Sequence, residues 1–294
     1  MNEFLRPMQP WPGLEKFGRR VALPRNGLGL FVYEAGDTTA PPMMLIHGLG
    51  DEADTWRHVI GPLADRQRIL ALDLPGFGRS DKPSRDYAIE FLCGAILETM
   101  DVLSIPAATL MGNSLGAMLA QAIALRHPER VDRLILVDGA LVAREKPNEI
   151  MGMMAQPGVG EMMYNSLRGE PQTAYETLRP FYGHLDDLPE ADRAFLYQRV
   201  NERVWSDGQR DAYLSILRQL LRYLPEKQAE FEAGLARCAT LTQVVWGELD
   251  MVNPVENARA LVSIQPSARL TVIPGAGHLP HQEKPEKFLR LILV

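Results

Sequence analysis

The chain is patterned by short, uninterrupted apolar runs of four or five residues. They fall at positions 43–46, 68–72, 108–111, 134–137, 242–246 and 270–273. None of them alternates polar with apolar. Runs of this length predict strands buried on both faces of a parallel sheet. Two further runs, 20–23 and 28–34, flank Asn26-Gly27, which predicts a hairpin leading into that sheet. Between the runs lie stretches of helical periodicity, such as 115–126 and 254–264. Strand and helix in alternation predict an α/β fold: a mostly parallel sheet of about eight strands with helices on both faces.

One interval breaks the alternation. From 142 to 225 no run reads as a parallel strand, and the periodicity predicts helices over 147–156, 159–168, 171–182, 190–205 and 209–224. Four segments follow: an irregular arm over 1–20, rich in Pro7, Pro10, Pro12 and Gly13; a core segment over 21–141; a helical insertion over 142–225; and a second core segment over 226–294. Trp11 and Phe17 are positioned to pin the arm to the body.

Composition narrows the function classes. The 294 residues carry 31 Lys and Arg against 37 Asp and Glu, a formal charge of −6. That balance lacks the basic footprint of a nucleic-acid binder and gives an anionic membrane nothing to attract. The most apolar stretch is broken by Asn113, Ser114 and Gln121, so no membrane span is expected. The start of the chain lacks a basic segment followed by an apolar run, so a cytoplasmic protein is expected. The two cysteines, Cys93 and Cys238, fit neither a zinc nor a redox spacing. Nothing in the sequence speaks to oligomeric state.

The candidate chemistry begins at Gly112-Asn113-Ser114-Leu115-Gly116, between a predicted strand and a predicted helix. G-x-S-x-G in that context forms a sharp turn that lifts the serine above the sheet edge, with small residues where side chains would collide. The helix N-terminus behind it offers N–H groups to a developing oxyanion. Serine needs a base, and His278 in Pro274-Gly275-Ala276-Gly277-His278 follows a predicted strand at its carboxyl end. His281 reads as part of a structural helix start, His127 as a helix cap and His47 as a holder of its loop. His58 and His184 sit in no motif. The histidine needs a carboxylate to fix its tautomer. Asp250, after the 242–246 run, is the first choice; Asp138 and Glu248 are rivals, with Asp138 read as a polar cap on the sheet edge. The oxyanion donors are expected to be the backbone N–H groups of Leu115 and of Leu49 in His47-Gly48-Leu49-Gly50.

Together these motifs make the chain resemble the α/β-hydrolase superfamily, from about residue 21 to 293. The order Ser114, Asp250, His278 is that of this fold. Asp73-Leu74-Pro75-Gly76-Phe77-Gly78-Arg79-Ser80-Asp81 matches the family's turn after its fourth strand, and His278-Leu279-Pro280-His281 its histidine segment. The helical interval corresponds to the family's cap. Haloalkane dehalogenases and epoxide hydrolases carry aspartate where this chain has Ser114, and dienelactone hydrolases carry cysteine. The resemblance implies a carboxylic ester hydrolase that needs no metal or organic cofactor and takes a small apolar substrate. The Gly-Asn-Ser form is similar to hydrolases of C–C bonds in ring-cleavage products. Those have tryptophan after the histidine, where this chain has Leu279, and use a cap arginine. A ligand receptor on the same fold is the non-enzymatic alternative. Asn113, Leu279 and Met154 are expected at the substrate pocket, the last within a methionine-rich part of the cap that suits an adaptable apolar wall; Trp56 reads equally as pocket wall or core.

Overall fold

In the computed structural model, which describes residues 3–142 and 149–293, all eight apolar runs pair into one sheet. The strands are β1 (Gly18–Leu23), β2 (Leu28–Ala35), β3 (Pro42–Ile46), β4 (Arg68–Leu72), β5 (Ala108–Asn113), β6 (Val131–Val137), β7 (Thr242–Gly247) and β8 (Ala268–Ile273). Their order is β1-β2-β4-β3-β5-β6-β7-β8. β1 and β2 form the expected antiparallel hairpin, with Gly27 at φ +65° in its loop, and β2 runs antiparallel to β4. From β4 to β8 every pairing is parallel.

Two-sided burial explains why the runs of β3 to β7 lack polar alternation. Met44 and Ile46 of β3, Leu70 and Leu72 of β4, and Leu134 and Leu136 of β6 enter one core. Their neighbours Met43, Leu45, Ile69, Ala71, Ile135 and Val137 enter the other. Successive side chains of a strand point to opposite faces, and here each face is covered by helices. The first core is closed by helices α2 (Ile89–Val102) and α3 (Leu115–Arg126). The second is closed by the single-turn helix α1 (Ile60–Ala64) and by the arm, through Leu14, Trp11 and Phe17.

Among the described residues 142–225 there is no strand, as expected. The cap helices are α4 (Glu149–Met154), α5 (Val159–Ser166), α6 (Pro171–Glu176), α7 (Glu190–Val204) and α8 (Asp207–Arg237); the first two residues of the helix expected over 147–156 lie outside the described residues. They enclose a third cluster built on Tyr164, Tyr175, Tyr182, Leu196 and Val200. The helix expected over 171–182 is interrupted. Pro180 lacks an N–H and disfavours the helical conformation before it, so the chain leaves α6 and makes a separate short turn at Arg179–Phe181. The opposite happens at Pro225, where the expected helix end is overridden and α8 continues through the proline to Arg237. Phe231 and Leu235 beyond it are buried in the first core, and that burial outweighs the lost backbone hydrogen bond. Helices α9 (Val255–Ile264), α10 (Pro280–Glu283) and α11 (Pro285–Ile292) complete the chain. Among the described residues no helix is long and apolar enough to cross a membrane.

Phe231→Ala should therefore destabilise the whole protein, not only a cap segment. The expected loss is about 3–5 kcal/mol, read as a lower urea midpoint in a single cooperative transition.

Candidate active site

The site is assembled from the carboxyl ends of β3, β5, β6, β7 and β8. Ser114 stands between β5 and α3 at φ +52°, ψ −114°, a conformation a non-glycine residue holds only under strain. Its N–H donates to the Val137 carbonyl at the end of β6 (2.9 Å). The helix behind it packs hard against the sheet: a Cβ on Gly116 would lie 2.1 Å from the Ile46 carbonyl oxygen, and one on Gly112 would lie 2.2 Å from the Gly116 backbone. Ser114 is partly exposed, whereas Asn113 and Leu115 on either side are buried.

His278 lies in the loop after β8 and is 2% exposed. Its Nδ1–H donates to Asp250 Oδ2 at 2.7 Å. Asp250 Oδ1 accepts the N–H groups of Val252 and Asn253, both at 2.8 Å, so the carboxylate is held on both oxygens. The His278 segment is tied to the serine turn through Asn113, whose Nδ2 donates to the carbonyls of His278 (3.1 Å) and Val137 (3.2 Å). Glu248, the weaker rival acid, is exposed and accepts the Gly275 N–H instead.

The loop after β3 reaches the same place. A Cβ on Gly48 would lie 3.3 Å from Ser114 Cβ. His47 holds this loop as expected: Nδ1–H donates to the Gly48 carbonyl (2.7 Å) while Nε2 accepts the Leu74 N–H (2.9 Å). That pairing requires the neutral ring, and burial pushes its pKa down. Leu115 is the first residue of α3, where backbone N–H groups have no acceptor within the helix. The Asp73–Asp81 turn is a scaffold beneath: Asp73 accepts the Ala53 N–H (2.7 Å) and the Arg79 N–H (2.7 Å), and pairs with the Arg79 guanidinium.

The cap meets the histidine loop directly. The His278 N–H donates to the Phe181 carbonyl (2.9 Å), and the Phe181 and His278 ring centroids are 5.8 Å apart. Glu283 accepts N–H groups from Gly183 of the cap (2.8 Å) and Gly277 of the loop (2.7 Å). Leu279 is buried in the cap cluster, with Met154 and Tyr213 packed against it. The Tyr213 ring lies over Gly50, where a Cβ would meet it at 3.1 Å.

Trp56 is a correction. It is fully buried in the second core, stacked on His281 at 4.2 Å between ring centroids, and does not reach the site. Its one-turn helix, Ala53–Trp56, follows the loop closely enough in sequence to suggest a pocket wall, yet turns the indole inward. Asn113 is buried and engaged by two carbonyls, so its amide braces the site from below. Sequence reasoning missed Phe181, Tyr213 and Gly139. A Cβ on Gly139 would lie 2.3 Å from the Ser114 carbonyl oxygen and 2.6 Å from its Cα. The available signal was Asp138-Gly139 at the end of an apolar run. The one group of acids and histidines among the described residues close enough to hold a cation is Asp138, Asp250 and His278; there the His278 Nδ1–H is already engaged by Asp250.

Residues 41–285 match the family described as the alpha/beta hydrolase fold. The chain belongs to the α/β-hydrolase family. Among relatives of this α/β hydrolase, a Comamonas testosteroni protein named 2-hydroxy-6-oxononadienedioate/2-hydroxy-6-oxononatrienedioate hydrolase is 28% identical, over 93% of this chain and 94% of the relative. An uncharacterised Mycobacterium tuberculosis protein is 29% identical, over 86% of this chain and 74% of its own length. A solved meta-cleavage product hydrolase from Pseudomonas fluorescens IP01 superposes with a TM-score of 0.76 at 25% identity, covering 95% of this chain and 97% of that one.

Two predictions follow from the packing of this α/β hydrolase. Gly139→Ala should displace Ser114 and lower its rate of fluorophosphonate labelling by tenfold or more, as a 1 Å misplacement does to a reacting group; labelling at the unaltered rate would show that the contact gives way. His281 is fully buried, with Nε2 against Thr55 Oγ1 (3.0 Å), and burial pushes its pKa down to about 3. The unfolded histidine takes up a proton below about pH 6.5 and the folded one does not. Its contribution is therefore intact above that pH and is lost as pH falls toward 3, by about 1.4 kcal/mol per unit. His281→Gln should flatten that part of the acid-stability curve in urea melts.

Proposed function

We propose that this α/β hydrolase cleaves a small to medium apolar carboxylic ester through an acyl-serine. Ser114 Oγ attacks the carbonyl carbon while His278 Nε2 takes its proton. The imidazolium is held by Asp250, and the oxyanion by the N–H groups of Leu49 and Leu115. The tetrahedral intermediate collapses as His278 returns the proton to the leaving alcohol. Water then repeats the sequence on the acyl-enzyme and regenerates the serine hydroxyl.

The observation that carries this reading is the Asp250–His278 hydrogen bond beside a serine held at φ +52°. The donor Nδ1–H leaves Nε2 with the lone pair a general base needs. The apolar character of the substrate rests on Leu279, Phe181, Met154 and Tyr213 around the histidine loop and oxyanion loop.

A second reading is hydrolysis of a C–C bond in a vinylogous diketone, and the names of the Comamonas and Pseudomonas proteins favour it. Two features weigh toward the ester. Position 279 is leucine where such hydrolases resembling this chain carry tryptophan. Two cap arginines are engaged by carboxylates: Arg203 by Asp51 and Glu52, Arg199 by Glu52 and Asp54. A substrate carboxylate would have to displace buried carboxylates to reach them.

Ser114→Ala should lower kcat by about 10⁴-fold or more with the melting temperature preserved; substantial residual turnover would exclude acyl-serine chemistry. A mechanism that needs a free general base predicts that the wild-type kcat/KM rises with pH. Comparison of kcat/KM for p-nitrophenyl esters of increasing length with a ring-cleavage diketone decides the bond: a clear preference for the diketone replaces the ester reading with the C–C one.

A further inference from the structure

Asp138 has a place in this site that the proposed mechanism leaves unused. It ends β6 at φ +49°, is fully buried, and its backbone is fixed from both sides: its N–H donates to the Val245 carbonyl (3.1 Å), and its carbonyl accepts Asn253 Nδ2 (3.1 Å). One carboxyl oxygen, Oδ1, accepts the Gly247 N–H (2.7 Å). The other, Oδ2, is buried and receives no N–H or O–H donor from the described residues. Carboxyl oxygens of Asp138 and Asp250 and a ring nitrogen of His278 all lie within 4.8 Å of one another.

Two buried carboxyls this close do not both ionise; one keeps its proton. The donors decide which. Asp250 accepts three N–H groups, from Val252, Asn253 and His278, and needs no proton of its own. Asp138 accepts one. An O–H on Asp138 Oδ2 would remove an unsatisfied buried acceptor and supply Asp250 with a fourth donor.

Building on the Ser114–His278–Asp250 reading, we propose that Asp138 is a positioning residue: it stays protonated at working pH and donates its O–H to Asp250, fixing the carboxylate that orients His278. The surroundings agree. Burial first, and then the charges of Asp250 and Glu283, hold the Asp138 carboxyl well above the usual aspartate range. The charged and titratable groups facing it are Asp250, after β7, His278, after β8, and Glu283, on α10; Glu283 is itself pushed upward by burial. No lysine or arginine is among the groups that act on Asp138 to favour its ionised form. A neutral donor also limits how far Asp250 can draw the proton from His278, so that the histidine can return it to the leaving group.

The direct test is stability against pH for the wild type and Asp138→Asn, which keeps the shape and the donor but has no proton to lose. Between the ordinary aspartate pKa of about 3.9 and the raised folded value, the native wild type binds one proton more than the unfolded chain. Its stability contribution from this group is therefore present at low pH and declines as pH rises. Asp138→Asn should gain in melting temperature relative to wild type as pH rises above about 4, whatever its offset at low pH. A difference that stays constant from pH 4 to 8 overturns the proposal.

Kinetics separate positioning from general support. Asp138→Ala should lower kcat about 10- to 100-fold, as expected for loss of a hydrogen bond to a charged group, and shift the acid limb of kcat/KM to higher pH. Asp138→Asn should rescue most of both effects. If Asp138→Asn is as impaired as Asp138→Ala, the residue is needed as an anion and the proposal fails. If Asp138→Asn does not fold, ¹³C-carboxyl NMR of the wild type replaces it: an Asp138 Cγ that remains in its protonated position at neutral pH supports the proposal, and one that titrates below pH 5 ends it. Failure of the serine mechanism is recognisable separately, as turnover that survives Ser114→Ala while the Asp138 stability gap persists.

Discussion

The strained turn at Ser114 is the constraint around which the molecule is arranged. A serine at φ +52° is unfavourable by about 1–3 kcal/mol and persists only where its surroundings allow no relaxation. Here β6 takes its N–H through Val137, α3 is drawn against β3 by a glycine with no room for a methyl group, and Gly139 lies against its backbone. The strands that carry His278 and Asp250 pair onto β6 in sequence order, so the same register that fixes the serine fixes its partners. The parallel sheet is in this sense the jig for one turn.

A second layer of order is electrostatic. The segment after the loop that ends β3 carries Asp51, Glu52 and Asp54, and the cap helix α7 answers with Arg199 and Arg203. Arg57 and His58 from that segment bind Asp192 at the start of the same helix. The arm joins in: the Trp11 N–H donates to Asp54, and Arg199 donates to the Gln9 carbonyl. These groups are largely buried and share partners, so the charges are compensated as one network rather than pair by pair. The cap is thereby fastened to the loop that is proposed to bind the oxyanion, and the arm to both.

The legible parts of the sequence were those governed by local rules. Strands β3 to β7 announced themselves as continuous apolar runs because both faces of the sheet are covered there, and Asn26-Gly27 marked the hairpin because its turn needs a positive φ. Ser114, Asp250 and His278 were legible because each stands directly after a strand, within a motif. Pro225 misled for the complementary reason. Local propensity ends a helix there, whereas the distant burial of Phe231 and Leu235 continues it. Trp56 misled because closeness in sequence to the loop says nothing about which way an indole turns.

By itself the sequence determined the α/β architecture, the interruption by a helical cap, and the order of the proposed nucleophile, acid and base, because strand burial and strand-end turns are written in short spans of residues. Tertiary structure alone decided the rest. It placed Phe181 and Tyr213 over the site, turned Asn113 into a brace, and engaged Arg199 and Arg203 with acids some 150 positions away. It also set Asp138 beside Asp250, two carboxyls that a sequence could only list as rivals. Their relation depends on the parallel registry of β6 with β7, which brings residues more than a hundred positions apart to one sheet edge. No local rule encodes such a distance, and the protonation state of a buried pair follows from it.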